Sequence, residues 1–437
     1  MSRRLLILVT DLEIGGTPTV VRELAIRLHA RGHRVAVACL GRRGPVADQI
    51  ASAGVDVTAL SAVGQWDLRI LPRLITLLRT GQTNRGMAIQ PVVPALRHTK
   101  PSPQPSPDGR GSRNAAEYRG TRAGSPCHDS SAATRFDTVL SFLIHANALA
   151  SVACSLTRTR LFQSIQTTQP WPRWHWAVQR FIAPLAERIV VPSQSVADVA
   201  RDWSGIAPSQ IQIIPNAIDP ADFNITPLPV STPAHIGFIG RLDPIKRVGD
   251  LIEAIAILTD EARLQNWGRR PRRPLGSDPG RPTGASAPLF RDVVLHIFGD
   301  GPERPRLERQ IGDLGLQRHV TLHGAVPRPQ DALEQISVLV LPSAAEGFGL
   351  VLIEAMAAGV PVIATDAPGI RDVVRHDHTG ILVPICSPAS LAFAIQRLLD
   401  DGQLRQRLTA AARCEVARRF SWSSILPVYE ELLSPEP

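Results

Sequence analysis

One unit constrains the fold of this chain more than any other: SVLVLPSAAEGFGLVLIEAMAAGVPVIAT, residues 337–365. Two short apolar runs, 337–342 and 360–365, flank a segment from Leu350 to Ala358 that closes at Gly359. Apolar runs of this length, without polar alternation, read as strands buried on both faces. The segment between them reads as a helix, so the unit belongs to a parallel α/β sheet. In such sheets ligands lie in the crevice outside the carboxyl ends of the strands. The unit also carries two carboxylates, Glu346 and Glu354, eight positions apart. They are too far apart to be neighbours on one helix. Glu346 therefore sits in the loop after the first strand and Glu354 about a turn into the helix, where both can face the crevice. A carboxylate there can accept the hydroxyls of a ribose or hexose, each bond to charge contributing about 1.5–3 kcal/mol. Read alone, the segment equally allows an acidic residue that only complements a helix dipole.

The same alternation runs through the rest of the chain. Strands are expected at 4–10, 34–40, 136–141, 187–193 and 211–216, with an amphipathic helix over 17–31. A linker, PLPVSTP (227–233), separates these from strands at 235–240, 293–299, 320–324, 337–342, 361–365 and 380–384. Helices are expected at 248–258, 389–401 and 403–418. The division that follows is a first domain over 1–226, a second over 234–416, and a last segment over 417–437.

Two segments break the pattern. Residues 81–134 and 266–290 are rich in Pro, Gly, Ser and Arg and show no periodicity, so they are expected to be disordered inserts. They also hold the excess charge. The chain is +9 overall, yet residues 79–135 carry nine Arg/Lys against three acids and 266–291 six Arg against one. The remainder is close to neutral, which argues against nucleic acid as a partner. The inserts read as tolerated insertions, the functional alternative being contact of the basic run RRPRR (269–273) with an anionic membrane. The Trp- and Arg-rich stretch WPRWHWAVQRF (171–181) suggests membrane contact, or plain helix packing. Five scattered cysteines indicate neither a disulfide framework nor a zinc site and favour a reducing compartment. The opening run MSRRLLILVTD is too short for a signal segment, and no membrane span is expected.

Several loops carry chemistry. GRLDPIKR (240–247) sets Arg241 and Lys246 between a strand and a helix, where a planar fork and a point charge can hold different oxygens of a diphosphate. IGGTP (14–18) offers Gly15 and Gly16 at a helix N-terminus, where backbone amides can approach a phosphate or an acceptor. FGDGPE (298–303) reads as a packing turn. His145 follows the strand 136–141 and is either a substrate contact or a structural residue at a helix start. The run HDH (376–378) lies in a turn, and no D-x-D motif is present, so no metal site is expected.

In chain order, the segments 14–40, 190–200, IIPNAID (213–219), 236–255, 296–308, 320–328 and 346–369 resemble the retaining family-4 glycosyltransferases of the GT-B fold. The resemblance implies two Rossmann-like domains facing across a cleft, a final helix over 420–433 returning to the first domain, and no cofactor. It implies transfer of a hexosyl or N-acetylhexosaminyl group from a nucleotide sugar, taken as UDP-linked, to a hydroxyl of a lipid-linked or polysaccharide acceptor. The catalytic residues it points to are His145, Arg241, Lys246 and Glu346. The donor-binding set is Gly15, Gly16, Asn216, Arg241, Lys246, Glu346, Gly347, Phe348, Gly349, Leu350 and Glu354. Main-chain groups near His323–Val326 would read the base. The expected location is cytoplasmic, at or near the inner face of the membrane. One departure stands out: where related enzymes carry His-x-His at a strand end, this chain reads Ser141-Phe142, with His145 three residues later. Two rivals follow, a sugar-nucleotide epimerase of the same architecture and a non-catalytic sugar-nucleotide-binding subunit.

Overall fold

A computed structural model describes residues 3–64, 67–81, 135–169, 171–259 and 292–434. The expected inserts at 81–134 and 266–290 lie outside the described residues, apart from Gly81, which closes a helix.

The first sheet has seven parallel strands: β1 (Arg4–Val9), β2 (Arg34–Cys39), β3 (Asp56–Ala59), β4 (Thr138–Phe142), β5 (Arg160–Ser164), β6 (Arg188–Val191) and β7 (Ile211–Ile213). Their order is β3-β2-β1-β4-β5-β6-β7. Its helices are α1 (Gly16–Ala30), α2 (Pro45–Ser52), α3 (Leu71–Thr80), α4 (Ile144–Thr157), α5 (Arg173–Ile182) and α6 (Gln194–Ser204). The second sheet has six parallel strands: β8 (Ala234–Ile239), β9 (Val293–Phe298), β10 (Val320–Gly324), β11 (Val338–Leu341), β12 (Val362–Thr365) and β13 (Ile381–Val383), in the order β10-β9-β8-β11-β12-β13. Around it lie α7 (Val248–Thr259), α8 (Arg304–Asp313), α9 (Pro329–Leu333), α10 (Leu350–Ala358), α11 (Pro388–Asp400) and α12 (Gly402–Arg419). The last helix, α13 (Trp422–Leu432), packs Trp422, Ile425, Leu426 and Tyr429 into the core around β1 and α1.

Both sheets are doubly wound, and each reverses its winding once: between β1 and β4, and between β8 and β11. Helices cover both faces of such a sheet, so central strands are apolar throughout, as in LLILV (5–9) and VLVL (338–341). At each reversal the loops leaving two neighbouring strands diverge and leave a crevice at the carboxyl ends. The loop after β8 carries Arg241 and Lys246, and the loop after β11 carries Glu346. Gly15 follows β1, and His145 follows β4. Helix α10 spans Leu350–Ala358 between αL glycines at 349 and 359, as the sequence indicates. The sequence reading passed over β3, β5, α2 and α3, whose short or mixed runs lack a clean period. Among the described residues no helix is long and apolar enough to cross a membrane.

Candidate functional site

The second sheet builds one wall of the site. After β8 the chain turns through a short 3-10 segment, Pro244–Lys246, and Arg247 takes a left-handed φ of 51° before α7. This turn aims Lys246 across to the β11 loop, where its Nζ donates to Glu346 Oε1 at 2.6 Å. Ser343 Oγ donates to the same oxygen at 2.7 Å. The pair is largely withdrawn from water, with side chains 21% and 11% exposed for Lys246 and Glu346. Glu346 Oε2 accepts no hydrogen bond among the described residues, so the carboxylate keeps acceptor capacity. Arg241, by contrast, is turned outward onto Asp243 at 3.1 Å. Its loop is braced from beneath by FGDGPE: Leu242 N–H donates to Asp300 O, and Glu303 N–H to Leu242 O. Gly299, at φ 153°, packs so closely on the Gly240 carbonyl that no Cβ fits. His323 stacks on Phe298 at 4.4 Å and shares a hydrogen bond with His296.

Of the EGFG loop, Gly349 adopts φ 84° and starts α10. The Phe348 side chain is a core residue, edge-on to Phe420 at 5.4 Å. A ligand role for Phe348 therefore passes through its main chain, which narrows the expectation from the motif. Leu350 packs against both cores, and its Cδ1 lies 3.3 Å from where a Cβ on Gly16 would stand. Glu354 is the fifth residue of α10 and is buried. Burial pushes its carboxyl up to about 7, offset in part by Arg22 on α1, and it makes no hydrogen bond among the described residues.

The first sheet builds the facing wall. His145 is the second residue of α4, preceded by Leu143 at φ 72°, ψ 155°. That backbone region is essentially reserved for glycine, and strain held there is characteristic of positioned functional side chains. His145 opens onto a cavity of about 350 Å³ lined also by Asn147, Gln166, Thr167, Trp171 and His175. Its ring meets His175 edge-on at 5.6 Å. Burial first, then the neighbouring His175, lowers the His145 pKa, so the imidazole is neutral at neutral pH. Ser141, the departure from the family pattern noted in the sequence, holds Asn147 in the cavity lining. Its Oγ donates to Asn147 Oδ1 at 2.7 Å, and Asn147 Nδ2 donates to the Ser164 carbonyl. Gly15 is extended and precedes the first turn of α1. Asn216 is buried, and its Nδ2 donates to Gln166 Oε1 at 3.2 Å.

The two walls touch through a strap made of residues 164–168 and Ser193, and beside it Ser195 N–H donates to Asp372 Oδ2 at 2.9 Å. Thr168 Oγ1 donates to the Glu346 carbonyl at 2.8 Å, and Ser193 Oγ donates to the Gly347 carbonyl at 2.9 Å. Gly347 stands so near the Gln166 carbonyl that a Cβ would overlap it. Lys246, Glu346, Gly347 and Asn216 are thus linked through the strap, and Gly16 meets Leu350. Arg241 stands apart. Sequence reasoning missed Ser343, Gln166, Thr168, His175 and Ser193. Ser343 lies within the same motif and was legible there; Thr168 and Ser193 lie 178 and 154 positions from their partners and carry no local signal. The HDH run is structural: His376 accepts from Leu382 N–H, and Arg397 clamps Asp377 at 2.7 Å. No group of three metal-ligating side chains occurs among the described residues.

Ser193 also caps α6 by accepting from Val196 N–H. Glycine at an N-cap costs only a few tenths of a kcal/mol, whereas alanine costs about 1 kcal/mol. Ser193→Gly is therefore expected to keep the melting temperature, and Ser193→Ala to lower it. Both should reduce turnover about three- to tenfold, the value of one neutral hydrogen bond. Equal turnover in Ser193→Gly and the parent would remove the strap from the working site.

Two doubly wound sheets with a ligand crevice at each reversal define the GT-B class. The described geometry matches solved GT-B structures over the whole chain. A complex of the Anabaena protein HepE with UDP-glucose superposes with a TM-score of 0.72 at 18% identity, covering 99% of each chain. A sucrose-phosphate synthase from Thermosynechococcus elongatus gives 0.67 at 19% identity, covering 98% of each. At these identities the likeness is one of fold. Residues 15–217 match the model of the glycosyl transferase 4-like domain, and 223–414 that of glycosyl transferases group 1. The chain belongs to the family-4-like GT-B glycosyltransferases. A phosphatidyl-myo-inositol mannosyltransferase of Mycobacterium leprae is 33% identical over 264 residues, 58% of this chain and 62% of that one. An exopolysaccharide phosphotransferase of Streptomyces coelicolor is 34% identical over 254 residues, 58% of this chain but 24% of that one. The chain thus spans less than two thirds of the length of either curated relative.

Proposed function

We propose that the protein is a retaining, metal-independent hexosyl- or N-acetylhexosaminyltransferase. It takes its sugar from a UDP-linked donor and passes it to a hydroxyl of a lipid-linked or polysaccharide acceptor. The observation that carries this reading is the Lys246–Glu346 pair at the reversal of the second sheet, facing the His145 cavity across the strap. Lys246 holds the diphosphate, and Arg241 swings from Asp243 to join it as negative charge accumulates on the leaving phosphate. Glu346, with Oε2 in hand, takes the donor sugar, and Glu354 takes the ribose hydroxyls. The leaving phosphate helps deprotonate the acceptor on the same face, so no enzymic nucleophile is required. Neutral His145 contacts the sugar or acceptor. The solved structures of similar fold that hold UDP and UDP-glucose support the choice of base. The deciding experiment is a thermal-shift panel of UDP-, GDP- and ADP-sugars on the whole chain. Stabilisation by one base is expected, and none by any would sink the transferase reading; stabilisation without transfer would favour the non-catalytic binding subunit, and a product of altered sugar configuration the epimerase.

The ribose role of Glu354 predicts a pH dependence. In the ligand-free protein its carboxyl is raised to about 7 from 4.5, so folding favours the protonated form. This term stabilises the fold below pH 4.5, and the contribution is lost as pH rises through 7. Hydroxyls donating to the carboxylate require the ionised form. Nucleotide affinity is therefore expected to rise about fivefold from pH 6 to 7 and to level off above about pH 8. Calorimetry should show proton release on binding near pH 6, absent in Glu354→Gln. A flat profile in the parent protein would exclude Glu354 from the donor site.

A further inference from the structure

We propose that the α4–α5 face of the first sheet docks on an anionic lipid bilayer. This rests on the lipid-linked acceptor reading and names the surface that would meet the lipid. The 49 residues from Thr138 to Ala186 contain four arginines and no Asp, Glu or Lys. Helices α4 and α5, adjacent on the sheet, therefore present a face without negative charge. The face is also apolar where water would demand polarity. Phe181 is 80% exposed and Trp171 63%, and Trp174, Leu185 and Trp203 stand out beside them. On α4, Val152 and Leu156 are exposed one turn apart. Helix α5 turns Trp176 and Gln179 inward, so its core contacts are already met from the opposite side. A concentration of exposed aromatic and aliphatic side chains this dense marks an interaction surface.

The charges select the partner. The Arg173 guanidinium sits 4.6 Å from the Trp171 ring and 5.6 Å from the Trp203 ring, joining the aromatics with a cation. Acids at the border are already neutralised: Glu187 by Arg160, and Asp198 and Asp202 of the adjoining α6 by Arg201. Arg158, Arg173 and Arg180 make no ion pair among the described residues. Tryptophan and arginine over an apolar floor suit the headgroup layer above anionic lipid. A single-stranded nucleic acid would use the arginines and rings but gains nothing from Val152, Leu156 and Leu185. Trp171 and His175 also line the His145 cavity, so an acceptor held in a bilayer reaches that cavity without leaving the surface.

Co-sedimentation of the whole chain tests this, with vesicles of phosphatidylcholine alone and of phosphatidylcholine and phosphatidylglycerol in equal parts. The parent should pellet with the anionic vesicles only. Arg158→Gln with Arg180→Gln should weaken binding about thirtyfold, each arginine near the surface being worth about fivefold. Phe181→Ser with Leu185→Ser should weaken it about tenfold or more, and in a way that high salt does not mimic. All four residues are exposed, and melting curves confirm that the variants fold. Absence of binding to anionic vesicles, binding that survives in both double variants, or binding to single-stranded RNA in place of vesicles would each overturn the proposal. UDP-sugar binding on the same samples should be unchanged. Its absence from the parent would count against the transferase reading while leaving the vesicle result interpretable.

Discussion

Lys246→Ala is expected to lose both nucleotide binding and part of the stability of the second sheet. Removing the cation leaves Glu346 beside Ser343 with its charge mostly withdrawn from water. Breaking a buried pair from one side costs about 3 kcal/mol or more, because the remaining charge has no partner. Losing a cation that stabilises the developing phosphate charge costs a further 100- to 1000-fold or so in turnover. The control is Glu346→Gln, which preserves shape and leaves Lys246 charged. That variant should bind the nucleoside diphosphate as tightly as the parent or tighter, since Lys246 no longer answers to a carboxylate, yet transfer slowly. Calorimetry with UDP, melting curves and initial rates separate the two. If Lys246→Ala binds UDP like the parent protein, the diphosphate assignment fails.

The second large effect concerns Gly347→Ala. The new methyl would overlap the Gln166 carbonyl, a backbone atom that cannot swing aside, so the loop must part from the strap. Separation breaks the hydrogen bonds from Thr168 to Glu346 O and from Ser193 to Gly347 O. Each sheet keeps its own core, so the melting temperature should fall little. Nucleotide binding on the second sheet should survive within about threefold, while transfer falls 100-fold or more, because misplacement by about 1 Å is that costly. Equal losses in affinity and rate would mean that the strap serves only the donor site. A parent-like rate would mean that the two walls need not meet during catalysis.

Much of this was legible from residue order. The apolar runs, their spacing and Gly359 marked α10 to the residue, because strand burial, helix length and glycine caps are local properties. The same locality placed Lys246, Glu346 and His145 in loops after strands. It did not show that Phe348 faces the core. Nor did it separate Arg241, held outward by Asp243, from Lys246, which reaches Glu346. Short mixed strands such as β3 and β5 escaped notice because pairing with sheet neighbours, β2 for β3 and β4 and β6 for β5, rather than their own composition, makes them strands.

Residue order set the kind of element at most positions, the parallel character of both sheets and the set of side chains available for chemistry. These follow from periodicity and from which residues tolerate a turn. The three-dimensional fold was needed to set β1 beside β4 and β8 beside β11, which opens the crevices. It alone joined Thr168 and Ser193 to the Glu346 loop and buried Glu354 until its carboxyl rose to about 7. Strand pairing and desolvation depend on contacts between residues far apart in the chain, and local pattern carries no record of them.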